Sequence, residues 1–191
     1  IADTARQGSE DLDAAPLPPR SLTAAADPNS DGLRQTIILV DQSRMPDTPL
    51  AELTAFAARP DVNGVVVNVG ADNRVAAANG LADTHFDCPF AKNAVAEAIR
   101  NIVKDYASAN PLEYIVAIGN DDVIPFYRYP DTTTLGNESL YLPPVLDPTA
   151  SQASLRLSYV LTQDFYGSMV DVSLQETSLP TPGLAVGRLV E

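Results

Sequence analysis

Short apolar runs alternate with stretches of three- and four-residue periodicity over residues 36–118. Thr36-Ile37-Ile38-Leu39-Val40 is an unbroken β-branched and apolar run that stops at Asp41, the pattern of a parallel strand buried on both faces. Asp47, Thr48 and Pro49 then supply capping and first-turn chemistry for a helix through Leu50, Leu53, Phe56 and Ala57, ended by Arg59-Pro60. Asn63-Gly64 predicts a turn, and Val65-Val66-Val67-Asn68-Val69 repeats the buried-strand pattern up to Gly70. Over residues 89–109, Val95, Ile99, Ile102, Val103 and Tyr106 fall on one stripe, which predicts a second amphipathic helix ended by Asn110-Pro111. Tyr114 to Ile118 is the third strand, and residues 157–161 and 184–189 are expected to complete the sheet.

Strands alternating with amphipathic helices predict an α/β fold: three layers, with a mostly parallel sheet flanked by helices and joined by right-handed crossovers. Residues 1–35, with Pro16, Pro18, Pro19, Pro28 and an alanine run, read as an extended leader or linker; residues 36–191 read as one α/β subdomain. Within it, residues 129–156 carry Pro130, Pro143, Pro144 and Pro148 without a sustained period, as a long loop or insertion does.

Composition narrows the partners. A 45% apolar and 19% charged chain is globular in character, and no apolar run approaches the ~20 residues that cross a bilayer. The net charge of -13 arises from 25 acidic against 12 basic residues, and the arginines are scattered, which argues against nucleic acid and anionic membranes. The single cysteine, Cys88, excludes an intrachain disulfide.

Candidate chemistry is sparse. Asp27, Asn29 and Asp31, followed by Gly32, match the first half of a calcium loop, in which alternate oxygens converge on the ion. The second half departs, because Ile38 stands where a bidentate glutamate is needed. His85 and Cys88, with Asp83 or Asp87 as orienting carboxylate, have the residue types of a thiolate–imidazole pair, and Cys88 precedes Pro89 at a helix start. The local charge is acidic, so capping and packing is the plainer role. Asp41, Asn68, Asp72, Asn120, Asp121 and Asp122 all follow predicted strand ends, where carboxylates can gather around a divalent ion or cap turns. Phosphate-binding glycine loops, Cys-x-x-Cys and His-Glu-x-x-His are absent from the sequence.

Three segments occur in a telling order: Ile118-Gly119-Asn120 with Ile124-Pro125, then Asp164-Phe165-Tyr166-Gly167, then Gly187-Arg188. Together they resemble the gingipain-like cysteine peptidases of the caspase-like fold. That resemblance implies a non-catalytic N-terminal subdomain, scaffolding a catalytic Cys-His subdomain that lies downstream. It also implies a peptide-cleaving parent that is secreted or on the cell surface. No residue of this chain then inherits a catalytic role, while Asp164 and Arg188 are expected to brace the edge, the aspartate by binding backbone amides and the arginine by bridging carboxylates. The alternative is a surface recognition module with an acidic, metal-binding sheet edge, since Asp41-Gln42-Ser43-Arg44-Met45 resembles the Asp-x-Ser-x-Ser loop of von Willebrand A-type modules up to Met45.

Overall fold

The computed structural model describes residues 33–143, 149–174 and 177–190. Strands β1 (Thr36–Val40), β2 (Gly64–Asn68), β3 (Tyr114–Ile118) and β8 (Ala185–Leu189) form a four-stranded parallel sheet in the order β2-β1-β3-β8. The α/β class expected from the alternating pattern is the class observed, and the apolar runs lie within a residue of their predicted places. Val69 leaves the strand for a short 3-10 turn, Val69–Ala71.

The two faces of the sheet separate by residue parity, as a period of two requires. Ile37, Leu39, Ile115 and Ala117 join the larger core beneath helices α2 (Asn73–Thr84) and α3 (Pro89–Ala107). Ile38 and Val40 turn to the opposite face, against Ala57, Leu50 and Leu53 of helix α1 (Leu50–Ala57). Helices therefore cover both faces, and each fully buried Ile or Val contributes about 1.5–3 kcal/mol of transfer free energy.

Helix α3 follows its predicted stripe but stops at Ala107. Helix α2 was not predicted. Its buried residues are Val75, Ala78, Asn79 and Ala82, small or polar side chains that give almost no apolar amplitude. Asp72 caps it, accepting the Arg74 N–H at 2.8 Å, so the start signal was present without the periodicity that normally confirms it.

Residues 127–182 correct the expected sheet. The strand predicted over residues 157–161 is β5 (Tyr159–Thr162), and it pairs antiparallel with β4 (Tyr127–Pro130), apart from the main sheet. Leu157 belongs to the end of helix α4 (Ala150–Arg156), and Ser158 takes a left-handed φ of 60° that redirects the chain. Residues 129–156, read as a long loop or insertion, hold the end of β4, a 3-10 turn (Glu138–Leu140) and a helix capped by Thr149. A second ribbon, β6 (Ser168–Leu174) with β7 (Thr177–Pro182), precedes β8. Among the described residues no helix is long and apolar enough to cross a membrane.

Candidate functional site at the sheet edge

Chain connectivity creates the site. From β1 the chain crosses through α1 to β2 on one flank, whereas β3 lies on the other flank of β1 and is reached through α2 and α3 on the opposite face. Loops leaving β1 and β3 consequently diverge at their carboxyl ends, the place where open α/β sheets form ligand crevices. A cavity of about 520 Å³ lies there, bounded by Ser43 and Arg44 after β1, Gly70 after β2, Asn79 and Asp83 on α2, and Asp122 after β3.

Asp41, buried behind this lining, ties two of its residues together. The carboxylate is 1% exposed; Oδ1 accepts from the Ser43 N–H at 2.9 Å and Oγ–H at 2.5 Å, and Oδ2 accepts from Asn79 Nδ2 at 3.1 Å. Gly70 must be glycine for this packing, since a Cβ there would lie 2.1 Å from Asp41 Oδ1. Gly70→Ala is expected to cost about 1–3 kcal/mol, the usual range for overpacking, read as a lower urea midpoint with an unchanged m-value.

The other strand-end residues are each held locally. Asn68 donates to Gln42 Oε1 at 2.9 Å, and Asp72 pairs with Arg74, Oδ2 to Nη2, at 2.9 Å. Burial opposes ionisation of Asp72, but the Arg74 hydrogen bonds and charge hold its carboxyl below the usual range. Asn120 caps its own turn by accepting the Asp122 N–H at 2.9 Å. Asp121 turns away from the crevice to meet Arg128. Among the described residues no three His, Cys, Asp or Glu side chains are grouped to hold a metal. The calcium candidates Asp27, Asn29 and Asp31 fall outside the described residues.

Two cations flank the crevice. Arg44 Nη2 meets Asp83 Oδ1 at 2.7 Å. Lys92, 6% exposed, has its Nζ 3.7 Å from Asp122 Oδ1, and burial lowers its pKa against the opposing pull of Asp121 and Asp122. Lys92 was legible in principle, because it stands three residues before Val95 on the apolar stripe of α3.

His85 and Cys88 end one helix and begin the next, and their link is through the backbone: the Cys88 N–H donates to the His85 carbonyl at 3.0 Å. Cys88 is 4% exposed within the main core, away from the accessible, electropositive setting that a nucleophilic thiolate needs.

The segments that carry the gingipain-like resemblance meet in space. Arg188 Nη1 donates to the carbonyls of Gly119 at 2.8 Å, Asn120 at 3.2 Å and Ile124 at 2.7 Å, while its guanidinium lies 4.2 Å from the Phe126 ring centroid. Tyr166, fully buried, donates its hydroxyl to the Pro125 carbonyl. Gly183 and Leu184 N–H groups both bond to the Gly167 carbonyl. Two expectations are corrected here. Arg188 binds carbonyls instead of carboxylates, and Asp164 is exposed, so it cannot be the buried tether. Burial of Phe165 and Tyr166 does that work, with Phe165 stacked on Tyr127 at 3.8 Å between centroids.

Gly119 has φ of +108°, and a Cβ there would lie 2.7 Å from Val123 Cβ, which explains the glycine at the end of β3. Compared with family models, curated proteins and solved structures, the chain matches none.

Proposed function

We propose that this chain is the non-catalytic N-terminal subdomain of a gingipain-like cysteine peptidase, a scaffold for a catalytic Cys-His subdomain downstream. The observation that carries the reading is the convergence on Arg188 and Tyr166 of three segments separated by up to 69 positions. Separate chance matches would have no reason to share one hydrogen-bonded cluster. The exposed setting of Leu189, 61%, at the end of a strand whose only sheet neighbour among the described residues is β3, and of Val190, 60%, just after it, also supports a further body packed against this edge. In the whole enzyme the histidine would assist thiolate attack on a peptide carbonyl, with backbone amides stabilising the oxyanion. The parent is then secreted or at the cell surface, by the same resemblance. The recognition-module alternative draws less support, because the residues of the acidic edge are held separately.

The test compares the 191-residue chain with a polypeptide continuing about 200 residues past Glu191, one further domain's length, on a mixed peptide library. Cleavage by the longer form alone, abolished by a thiol alkylator, is the expected result. Cleavage by the short chain, or no thiol-dependent cleavage by the long one, overturns the proposal.

A further inference from the structure

Residues 132–136 are exposed throughout, yet the loop they form is tied from within. Asp131 Oδ1 accepts from the Thr133 N–H at 2.9 Å and from its hydroxyl at 2.6 Å, and Oδ2 accepts the Glu138 N–H at 2.8 Å. These bonds hold Asn137 at the end of the loop. Asn137 opens Asn137-Glu138-Ser139, the one Asn-x-Ser/Thr triplet in the chain, with no proline at its centre.

The side chain of Asn137 is half-buried, and its two polar atoms are engaged unequally. Oδ1 accepts from the Ser139 N–H at 3.1 Å and from the Ser139 hydroxyl at 2.7 Å, which uses both of its lone pairs. The nitrogen is held less firmly. Nδ2 donates to the Asp131 carbonyl at 3.2 Å, but its distance to the exposed Thr133 carbonyl is 3.5 Å, the outer limit of a hydrogen bond. A substituent in place of that second hydrogen forfeits little, and the remaining N–H keeps its bond to Asp131.

The flanking residues carry an independent signal. Leu135, Leu140 and Tyr141 are 89%, 72% and 68% exposed, an unusual amount of bare apolar surface for so short a stretch. Tyr141 turns back toward the loop, since a Cβ on Gly136, the residue before Asn137, would lie 3.8 Å from its hydroxyl. A cover for such a surface must be apolar on one side and wet on the other. The C–H face of a sugar ring against tyrosine, with its hydroxyls in water, meets both conditions.

We propose that Asn137 is a site of N-linked glycosylation and that the attached oligosaccharide covers the apolar residues flanking the triplet. The donor is a lipid-diphosphate-linked oligosaccharide. Asn137 Nδ2 attacks its anomeric carbon, the C–N bond forms as the bond to the diphosphate oxygen breaks, the lipid diphosphate leaves, and a base on the transferase takes the displaced proton. The inference rests on that part of the peptidase reading which places the parent outside the cell, because the transferase and its donor belong to the secretory route.

The test uses the protein recovered from its own cells and their medium. Trypsin releases residues 129–156, whose only asparagine is Asn137, and an N-glycosidase acting in ¹⁸O water should convert it to a heavy-oxygen aspartate. A parallel digest without the glycosidase corrects for spontaneous deamidation. Ser139→Ala should abolish the label, and the secreted variant should bind a hydrophobic dye more strongly than the glycosylated protein. An unlabelled Asn137 in protein from the medium overturns the site and leaves the peptidase reading intact, whereas unlabelled protein retained in the cell overturns the site and the outside location together. A label that persists in Ser139→Ala also overturns the site, and unchanged dye binding overturns the covering role. A labelled parent that shows no thiol-dependent cleavage removes the peptidase reading alone.

Discussion

Asp121→Ala should cost about 3–5 kcal/mol of stability, the usual penalty for leaving a buried charge without its partner. Arg128 is fully buried, and Asp121 holds it through two contacts, Oδ1 to Nη1 at 2.8 Å and Oδ2 to Nη2 at 2.5 Å. The rest of the arginine is bound to its surroundings as well. Asn93 of α3 accepts the Arg128 N–H at 2.7 Å and donates to its carbonyl at 2.9 Å, as a neighbouring strand would, and Ser154 of α4 accepts from Nε at 3.2 Å. Truncating Asp121 therefore leaves the guanidinium in place with nowhere to take its charge. A domain of this size has about 5–15 kcal/mol in total, so the variant should lose about a fifth or more of it, read as a lower urea midpoint. Asp121→Leu combined with Arg128→Met should recover much of the loss, because the pair's desolvation cost disappears with it.

The same pair sets a pH dependence. Burial pushes the Asp121 carboxyl up, but the Arg128 charge and hydrogen bonds from Arg128, Ser151 and the Phe126 N–H outweigh it and hold the value below the ordinary 3.8. A depressed folded value means that the unfolded chain takes up the proton first. The contribution is complete at neutral pH, begins to fade as pH falls toward 3.8, and is lost on passing below the folded value. The acid limb of a stability–pH curve should flatten in the Asp121→Leu/Arg128→Met variant.

The sequence marks Asp121 as an acid after a strand end, but nothing in it announces Arg128 as its partner. Arg128 sits between Tyr127 and Tyr129 and looks like any outward residue of an alternating strand, while its acceptors come from three separate elements. Local pattern is sufficient where burial is symmetric, as in Thr36–Val40, whose five residues are all buried. It fails where a face is buried against something polar. Helix α2 shows this directly: its crevice-lining stripe is Ala76, Asn79, Gly80 and Asp83, so the period that would announce a helix is erased by the cavity it borders. The strand ends were legible as a sheet edge because each apolar run stops at a polar residue. Which of them lay behind the crevice was not, since Asp41 and Asp121 look alike in sequence, and only chain crossings separate a tie behind a cavity lining from a buried ion pair.

Arg188→Leu should cost about 2–4 kcal/mol, within the range for losing charged hydrogen bonds and stranding their acceptors. One nitrogen serves the carbonyls of Gly119, Asn120 and Ile124, and Nε reaches Gln163 Oε1 at 3.3 Å. These carbonyls end β3 and turn the chain toward Pro125, whose carbonyl accepts from Tyr166, so the arginine joins the last strand to the loop of the third. Burial lowers the Arg188 pKa, yet the group stays cationic because guanidinium ionises far above neutral pH. Arg188→Lys should recover less than half, since an ammonium has no second nitrogen to reach Gln163 and no planar group to lie on Phe126. Asp164→Ala, in an equally recognisable segment but exposed, should change stability by no more than about 0.5 kcal/mol. Hydrogen exchange separates local loosening from global loss: the Gly119 N–H, bonded to the Leu189 carbonyl at 2.8 Å, should exchange faster in Arg188→Leu than the amides of β1 do. Equal acceleration across the whole sheet would mean that Arg188 acts on global stability alone, and no change at Gly119 would remove its role as the link between β3 and β8.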